Sequence, residues 1–405
     1  MSDPALPHLR STISGQVYPF DRLEEFADNG EALEVVIPAI DKTHVRPGAQ
    51  SWQRFADFLP FTTPDPAFSL NEGDTPLITA APSLQQATGI PHLLLKDETR
   101  NPTWSFKDRG SLTCAWMART CGEATTATIS TGNMGHSIAA YAARAGLRAL
   151  VFVPHFAPMQ KIQSAAIHGA TVIRVTAPDY AQMKGTILGL ASRLGLRIVS
   201  GNGPIRSEGY KLASFEIYEQ LGGAAPDFIA VPTSACGHIR GLWKGWVELK
   251  AAGLIDRLPR MIVVQATNNS PLVTSIKHGL PHVTPFTDFH TIAEAITSGN
   301  PQGGDEILDK AARHHWLAES VTEDEILDGQ RLLARAGHFV EPATATSVHA
   351  VRKLRETGRI SPHATVVLML TGSGLKDMDS MGLHNLPLTE STLESVAEDI
   401  FQALA

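Results

Sequence analysis

A chain of 405 residues, 43% hydrophobic and 19% charged, has the composition of a globular protein with room for two or three domains and a large core. Its formal charge of -7, with no run of lysines or arginines, argues against a nucleic-acid surface. Its three cysteines, Cys114, Cys121 and Cys236, form neither a disulfide framework nor a metal-like pair and fit a reduced cytosol. No basic segment followed by an apolar one opens the chain, and no apolar run is long enough for a bilayer, so a cytoplasmic protein without membrane partners is expected.

Residues 1–70 carry the weakest signal, polar and turn-rich around Phe55 to Pro64, and read as an N-terminal extension. NEGDTPL, Asn71 to Leu77, is a loop with a Gly-Asp turn. A short apolar run, Leu93 to Leu95, then feeds KDETRNPTWSFKDRG, where Asn101 and Pro102 mark a turn and helix formers resume after Lys107. The spacing predicts strand, loop and helix start. A lysine at a helix N-terminus faces the positive end of the dipole, loses its proton more readily and can serve as an amine nucleophile. Taken alone, Lys107 reads first as an ordinary exposed lysine opening an amphipathic helix.

From residue 93 onward, short β-rich runs alternate with helical patterns. Strands are predicted at Ala149–Val153, Val172–Val175, Arg197–Ser200, Phe228–Val231, Met261–Gln265 and Val366–Leu370. Glu208 to Leu221 reads as one helix, with Leu212, Phe215, Tyr218 and Leu221 on a face and Gly222–Gly223 as its stop. Continuous apolar strands between helices imply an α/β fold with parallel sheets covered on both faces.

Two loops open helices after small-residue or apolar runs: STGNMGHS at Ser130–Ser137 and PTSACGHIRGLWKGW at Pro232–Trp246. Each would expose backbone N–H groups suited to an anion. LTGSGLKD, Leu370–Asp377, is a Gly-rich strand end. FVPHFAPMQKIQ and SGNGPIRSEGYK place the cations Lys161 and Arg206 between the two anion loops in the chain. His314 and His315 are adjacent and no H-E-x-x-H occurs, so no metal site is expected. No G-x-S-x-G elbow is present either.

NPTWSFKDRG closely resembles the lysine motif of the threonine synthases, within the fold-type II pyridoxal-phosphate enzymes. The other motifs follow in that family's order from Asn71 to Asp377. The resemblance implies two interleaved three-layer α/β domains of the tryptophan synthase β-like kind, with pyridoxal 5′-phosphate between them. It places a large domain at 71–109 and 211–405, a small one at 110–210, and implies a homodimer. Lys107 would carry the cofactor as a Schiff base and then move protons near Cα, with Phe106 beside it at the cofactor. Ser130, Thr131 and Gly132 would receive the substrate α-carboxylate, and Asn133 would lie against the cofactor's ring hydroxyl. Lys161 and Arg206 would hold a substrate phosphate, Arg206 by its forked donors. Ser234, Ala235, Cys236, Gly237 and His238 would cup the cofactor phosphate, with Cys236 as a small packing residue. The Thr371 hydroxyl would face the pyridine nitrogen, and Glu341 in GHFVEPATATS would lie near the ring. The implied reaction converts O-phospho-L-homoserine and water to L-threonine and phosphate.

Four departures stand out: Trp104 for the usual glycine, Met134-Gly135-His136 for Thr-Ser/Ala-Ala, Ser200-Gly201 for Asn-Ser, and His238 for asparagine. They keep open a β/γ-elimination or replacement on another amino acid. A cofactor-free binding paralogue would follow if the altered cup cannot hold a phosphate.

Overall fold

The computed structural model describes residues 6–20, 25–38, 40, 44–62, 64–130, 132–155, 157, 159–178, 180–287, 290–386 and 388–404. Three sheets organise them. The first is antiparallel, with β1 (His8–Ser11), β2 (Val17–Pro19) and β3 (Leu33–Val36) in the order β2-β1-β3. Nothing in the sequence marks these strands, because runs of three or four residues are too short to establish a period of two. Leu9, Leu33 and Val35 nevertheless point to one side and bury against Cys114, Met117 and Ile205.

The next strands are β4 (Leu77–Thr79) and β5 (His92–Asp97), followed by β6 (Thr125–Ile129), β7 (Arg148–Pro154) and β8 (Thr171–Val175). Last come β9 (Phe228–Pro232), β10 (Arg260–Ala266), β11 (Leu317–Val321) and β12 (Thr365–Leu370). Strands β6, β7 and β8 make a parallel sheet in chain order. The largest sheet runs β11-β10-β9-β12-β5-β4, parallel except for the antiparallel edge strand β4. Its inner strands β9, β10 and β12 are largely continuous apolar runs, as burial on both faces requires. Ile229, Val231, Met261 and Val263 enter one core, while Phe228, Ala230, Ile262 and Val264 enter the other.

Two predicted elements differ. Arg197–Ser200 is not a strand; Ile198 alone bridges Ala127, and the chain then bends away through Gly201 and Gly203 to the helix Pro204–Tyr210. The helix expected over Glu208–Leu221 starts earlier, at Pro204, and breaks at Lys211 before Leu212–Gln220. Lys211 is fully buried there, donating to the Phe58 carbonyl and pairing with Glu208 and Glu248. The helix Gly237–Ala251 lies so close that a Cβ on Gly245 would come 2.7 Å from the Lys211 carbonyl oxygen. Among the described residues no helix is long and apolar enough to cross a membrane.

Candidate active site

Lys107 is the first residue of the helix Lys107–Thr120, at the C-terminal edge of the large sheet. Three chain segments are stitched together there. Phe106 N–H donates to the Thr371 carbonyl (3.1 Å), Ser373 N–H to the Trp104 carbonyl (3.0 Å) and Glu341 N–H to the Gly372 carbonyl (3.1 Å). The residues after Lys107 anchor the helix. Asp108 accepts from Thr103 N–H (2.6 Å), the Thr103 hydroxyl (2.5 Å) and the Ser137 hydroxyl (2.6 Å). Arg109 is buried and forks onto two buried carboxylates, Glu98 (2.7 and 2.8 Å) and Glu216 (2.6 and 2.7 Å). Gly110 completes the motif by leaving room, since a Cβ would sit 2.4 Å from Arg206 Cγ.

The Lys107 ammonium would lie 4.3 Å from the Phe106 ring centre and 6.0 Å from that of Tyr210. Burial, helped by the neighbouring Arg206 charge and opposed by Glu341, brings its pKa down to about 7. A large share of the amine is therefore unprotonated at neutral pH. The rate at which apoenzyme takes up pyridoxal phosphate should accordingly rise with pH up to about 7 and level off above it. A stopped-flow profile that still climbs steeply towards pH 10 would show an ordinary lysine (about 10.4).

The loop after β9 forms a cup. Cys236 takes a left-handed conformation (φ 72°), and Gly237 then opens the next helix. A Cβ on Gly237 would be 2.0 Å from the Gly201 carbonyl oxygen, so only glycine fits. His238 is buried and stacks on Phe106, with ring centres 3.9 Å apart and planes 17° off parallel. Burial pushes its pKa down to about 3, so the ring is neutral, with one N–H and one bare nitrogen. Neither nitrogen has a partner among the described residues. First-turn amides of a helix also lack partners within it. An orphan buried imidazole, free amides and an obligatory glycine together fit a phosphate. Ser234 Oγ accepts from Ser298 N–H (3.2 Å), and Ala235 faces Gly201. Cys236 is buried, and burial pushes its thiol well above the usual range, which suits packing and not attack.

At the opposite end of the site, the buried Thr371 hydroxyl lies 2.7 Å from that of Thr344. Thr344, which sequence reasoning missed, also accepts from Gly372 N–H (3.1 Å). Its only signal was a run of small hydroxyl residues after Glu341-Pro342. Both hydroxyls are neutral partners for a ring nitrogen. Glu341 is buried, and burial raises its carboxyl pKa against the pull of Asn133 and Lys376. Asn133 donates its amide to Glu341 (2.9 Å) and opens the helix Asn133–Ala145. Ser130 N–H donates to the Phe152 carbonyl (3.1 Å), and the Ser130 hydroxyl accepts weakly from Gly132 N–H (3.4 Å). Thr131 lies outside the described residues.

The two expected substrate-phosphate cations are placed differently. Arg206 is fully buried; Nε donates to the Ser200 carbonyl (3.0 Å), and Nη1 lies 3.3 Å from the Tyr210 hydroxyl and 3.5 Å from the Lys107 carbonyl. Only Nη2 is without a partner among the described residues, so the fork is mostly engaged by protein. Lys161, on the helix Met159–Ala166, forms an ion pair with Glu294, and the two cations share no partner.

Trp104 is half exposed and left-handed (φ 64°), a conformation costing a side-chain-bearing residue about 1–2 kcal/mol and glycine nothing. Its indole meets His136 edge-on at 6.2 Å. Sequence reasoning also missed Lys376, which donates to the Thr103 carbonyl (2.9 Å) and lies 3.0 Å from His136 Nδ1. Burial brings the Lys376 pKa down to about 8.

Comparison with known proteins follows the same lines. The family model described as "Pyridoxal-phosphate dependent enzyme" matches residues 68–372. The threonine synthase of Methanocaldococcus jannaschii is 34% identical over 374 residues, covering 90% of this chain and 92% of that protein. That of Methanosarcina acetivorans is 35% identical over 403 residues, covering 97% and 98%. That of Mycobacterium leprae is 38% identical over 340 residues, covering 82% and 90%. Among solved structures, a pyridoxal 5′-phosphate-dependent aspartate racemase superposes with a TM-score of 0.64 at 24% identity, covering 76% of this chain and 93% of that one. The threonine deaminase isoform 2 of Solanum lycopersicum does so with 0.65 at 19%, covering 87% and 99%.

Proposed function

We propose, from the premise that this chain belongs to the pyridoxal-phosphate dependent enzyme family and has its fold-type II architecture, that it is a threonine synthase-like lyase. It would release phosphate from O-phospho-L-homoserine and add water to give L-threonine. The observation that carries this reading is the join between Lys107 and Arg206. An amine with its pKa brought down to about 7 and a buried guanidinium with an N–H unpartnered among the described residues meet through the Lys107 carbonyl, 3.5 Å from Arg206 Nη1.

The cup Ser234–His238, Lys107, Asn133 and the Thr371–Thr344 pair would hold the cofactor. When bound, it supplies an electron sink for negative charge developing at the substrate Cα. Lys107, with its pKa near 7, takes a proton from one carbon and returns it to another without a large mismatch in either direction. Ser130, Gly132 and Asn133 would receive the α-carboxylate at the start of the helix Asn133–Ala145. Arg206 Nη2 supplies the charge-assisted hydrogen bond for an anionic tail. The neutral Thr371–Thr344 pair would be the partner of the ring nitrogen and would supply it no charge, and Glu341 fixes the Asn133 amide. A homodimer in the cytoplasm is part of the same proposal.

The test is phosphate release and amino-acid product from a panel of phosphohomoserine, phosphoserine, serine and threonine. Threonine formed from phosphohomoserine, with the other three slower, is the expected result. Arg206→Lys, which turns a fork into a point charge, should lower kcat/KM on phosphohomoserine by about tenfold to a hundredfold. Unchanged kinetics would remove Arg206 from the substrate site. A second reading, elimination or replacement on another amino acid, draws support from Trp104. An indole kept in a conformation that favours glycine argues for a pocket role. Faster turnover of serine or phosphoserine in the panel would favour it.

A further inference from the structure

Next to Arg206, the bend at Ser200 holds a carboxylate that comes from the N-terminal extension. Glu25 accepts from Ser200 N–H (3.0 Å) and from the Ser200 hydroxyl. It fits so closely that a Cβ on Gly203 would be 2.3 Å from its oxygen. Ser200 in turn accepts from Arg206 Nε through its carbonyl (3.0 Å). Burial raises the Glu25 pKa, against the pull of its Ser200 hydrogen bonds and of the Arg206 and Arg240 charges. The following residue, Gly201, faces the reaction site itself. A Cβ there would lie 3.6 Å from Ala235 of the cup and 3.8 Å from the Met134 sulfur. Ser200 N–H and the Ser200 hydroxyl therefore make an anion seat with a carboxylate already in it, and fully buried Arg206 beside them has an Nη2 without a partner among the described residues.

We infer that Glu25 is a specificity-determining residue whose carboxylate fills the seat between Ser200 and Arg206, so that an anionic substrate tail binds only by displacing it. The inference rests on Arg206 as the tail-binding residue of the proposed reaction. A purely structural bridge would be expected to close on the guanidinium. Among the described residues Glu25 instead bonds to Ser200 alone, and Nη2 has no partner. A cavity of about 30 Å³ adjoins it, lined by Glu25, Cys114, Glu123, Arg197 and Ile205, so the displaced carboxylate has space to move into beside the Arg197–Glu123 ion pair. Two anions in one seat repel, and a phosphate pays that repulsion until Glu25 leaves. Glu25 thereby sets how strongly charged a tail must be to enter.

The test is calorimetric titration of the cofactor-loaded enzyme with inorganic phosphate, for wild type, Glu25→Gln and Glu25→Ala. Loading fills the cofactor's own phosphate cup, so binding reports the second seat. Glu25→Gln keeps an acceptor for Ser200 and removes the charge. Phosphate affinity should rise about tenfold to a hundredfold, and the KM for phosphohomoserine should fall in step. Glu25→Ala should bind phosphate at least as tightly as Glu25→Gln. Unchanged or weaker phosphate binding in both variants overturns the inference. A lowered Tm with unchanged affinity does so too, by assigning Glu25 to packing alone. Because the titration needs no turnover, a wild-type enzyme inactive on phosphohomoserine would sink the proposed reaction and leave this result to stand or fall separately.

Discussion

Replacing Lys107 with alanine should abolish both the visible absorbance of lysine-bound cofactor and turnover. The side chain has two separable jobs, and alanine can do neither. Loss of the proton-moving role alone is worth about 10²–10⁴ in rate. Loss of the covalent attachment removes the absorbance whatever the rate. One other amine competes for the assignment: Lys376 is buried close by, with its pKa brought down to about 8. Borohydride reduction of the loaded enzyme followed by peptide mapping separates them. A tag on Lys107 is expected, and the Lys107→Ala protein should carry none. A tag on Lys376, or on Lys161 or Lys211, would refute the assignment. Lys211 is a poor candidate on physical grounds, since Glu208 and Glu248 both hold its ammonium.

The largest effect on stability should come from a residue with no chemical role. Arg109 pairs with Glu98 and Glu216, and Lys96 adds a third bond to Glu216 at 2.7 Å, all four side chains being buried. Burial alone would raise both carboxyl pKa values, but Arg109 and Lys96 outweigh it and hold both acids ionised. Arg109→Met keeps most of the volume and leaves two carboxylates facing one ammonium. Breaking one side of a buried pair costs about 3–5 kcal/mol, so the urea midpoint should drop markedly and cofactor occupancy with it. Arg109→Met with Glu98→Gln should recover part of the loss, because the carboxylate that Arg109 alone paired among the described residues loses its charge, while Glu216 keeps Lys96. A single variant within about 1 kcal/mol of wild type, the range of a surface ion pair, would mean that water reaches the cluster.

That cluster illustrates what was legible in the sequence. KDRG announced a helix start, and Lys107 does open a helix. The sequence could not tell that Asp108 and Arg109 point inward, because besides the nearby Thr103 and Glu98 each has a partner far along the chain, 29 residues away at Ser137 and 107 at Glu216. The parallel strands were readable because burial on both faces writes a continuous apolar run. The N-terminal sheet was not, having strands of three and four residues. Arg197–Ser200 had the right composition for a strand, but glycines at 201 and 203 turn it into the site after a single bridge. The family resemblance supplied the names of the cup residues. Which of them lacks a partner, His238, depends on its burial against Phe106, and no motif encodes that. Glu25 was invisible for the same reason: its partner Ser200 lies 175 residues along the chain.

The order of strands in the large sheet has a consequence for how the protein is made. Strand β12 lies between β5 and β9, pairing Leu93 with Val366 on one side and Phe228 with Val366 on the other. On a ribosome it is the last strand to emerge. Until then β5 and β9 each have an unsatisfied edge, and apolar strand edges invite pairing with the wrong chain. The sheet β6-β7-β8 has only neighbouring connections and can fold while synthesis continues, whereas closing β5 to β12 spans some 270 residues, from Leu93 to Val366. Thr371, Gly372 and Ser373 follow β12 directly and bond to Trp104, Phe106 and Glu341. Cofactor capture must therefore wait until residues 365–373 have emerged, and a nascent chain stalled before residue 365 would hold Lys107 in an unfinished site.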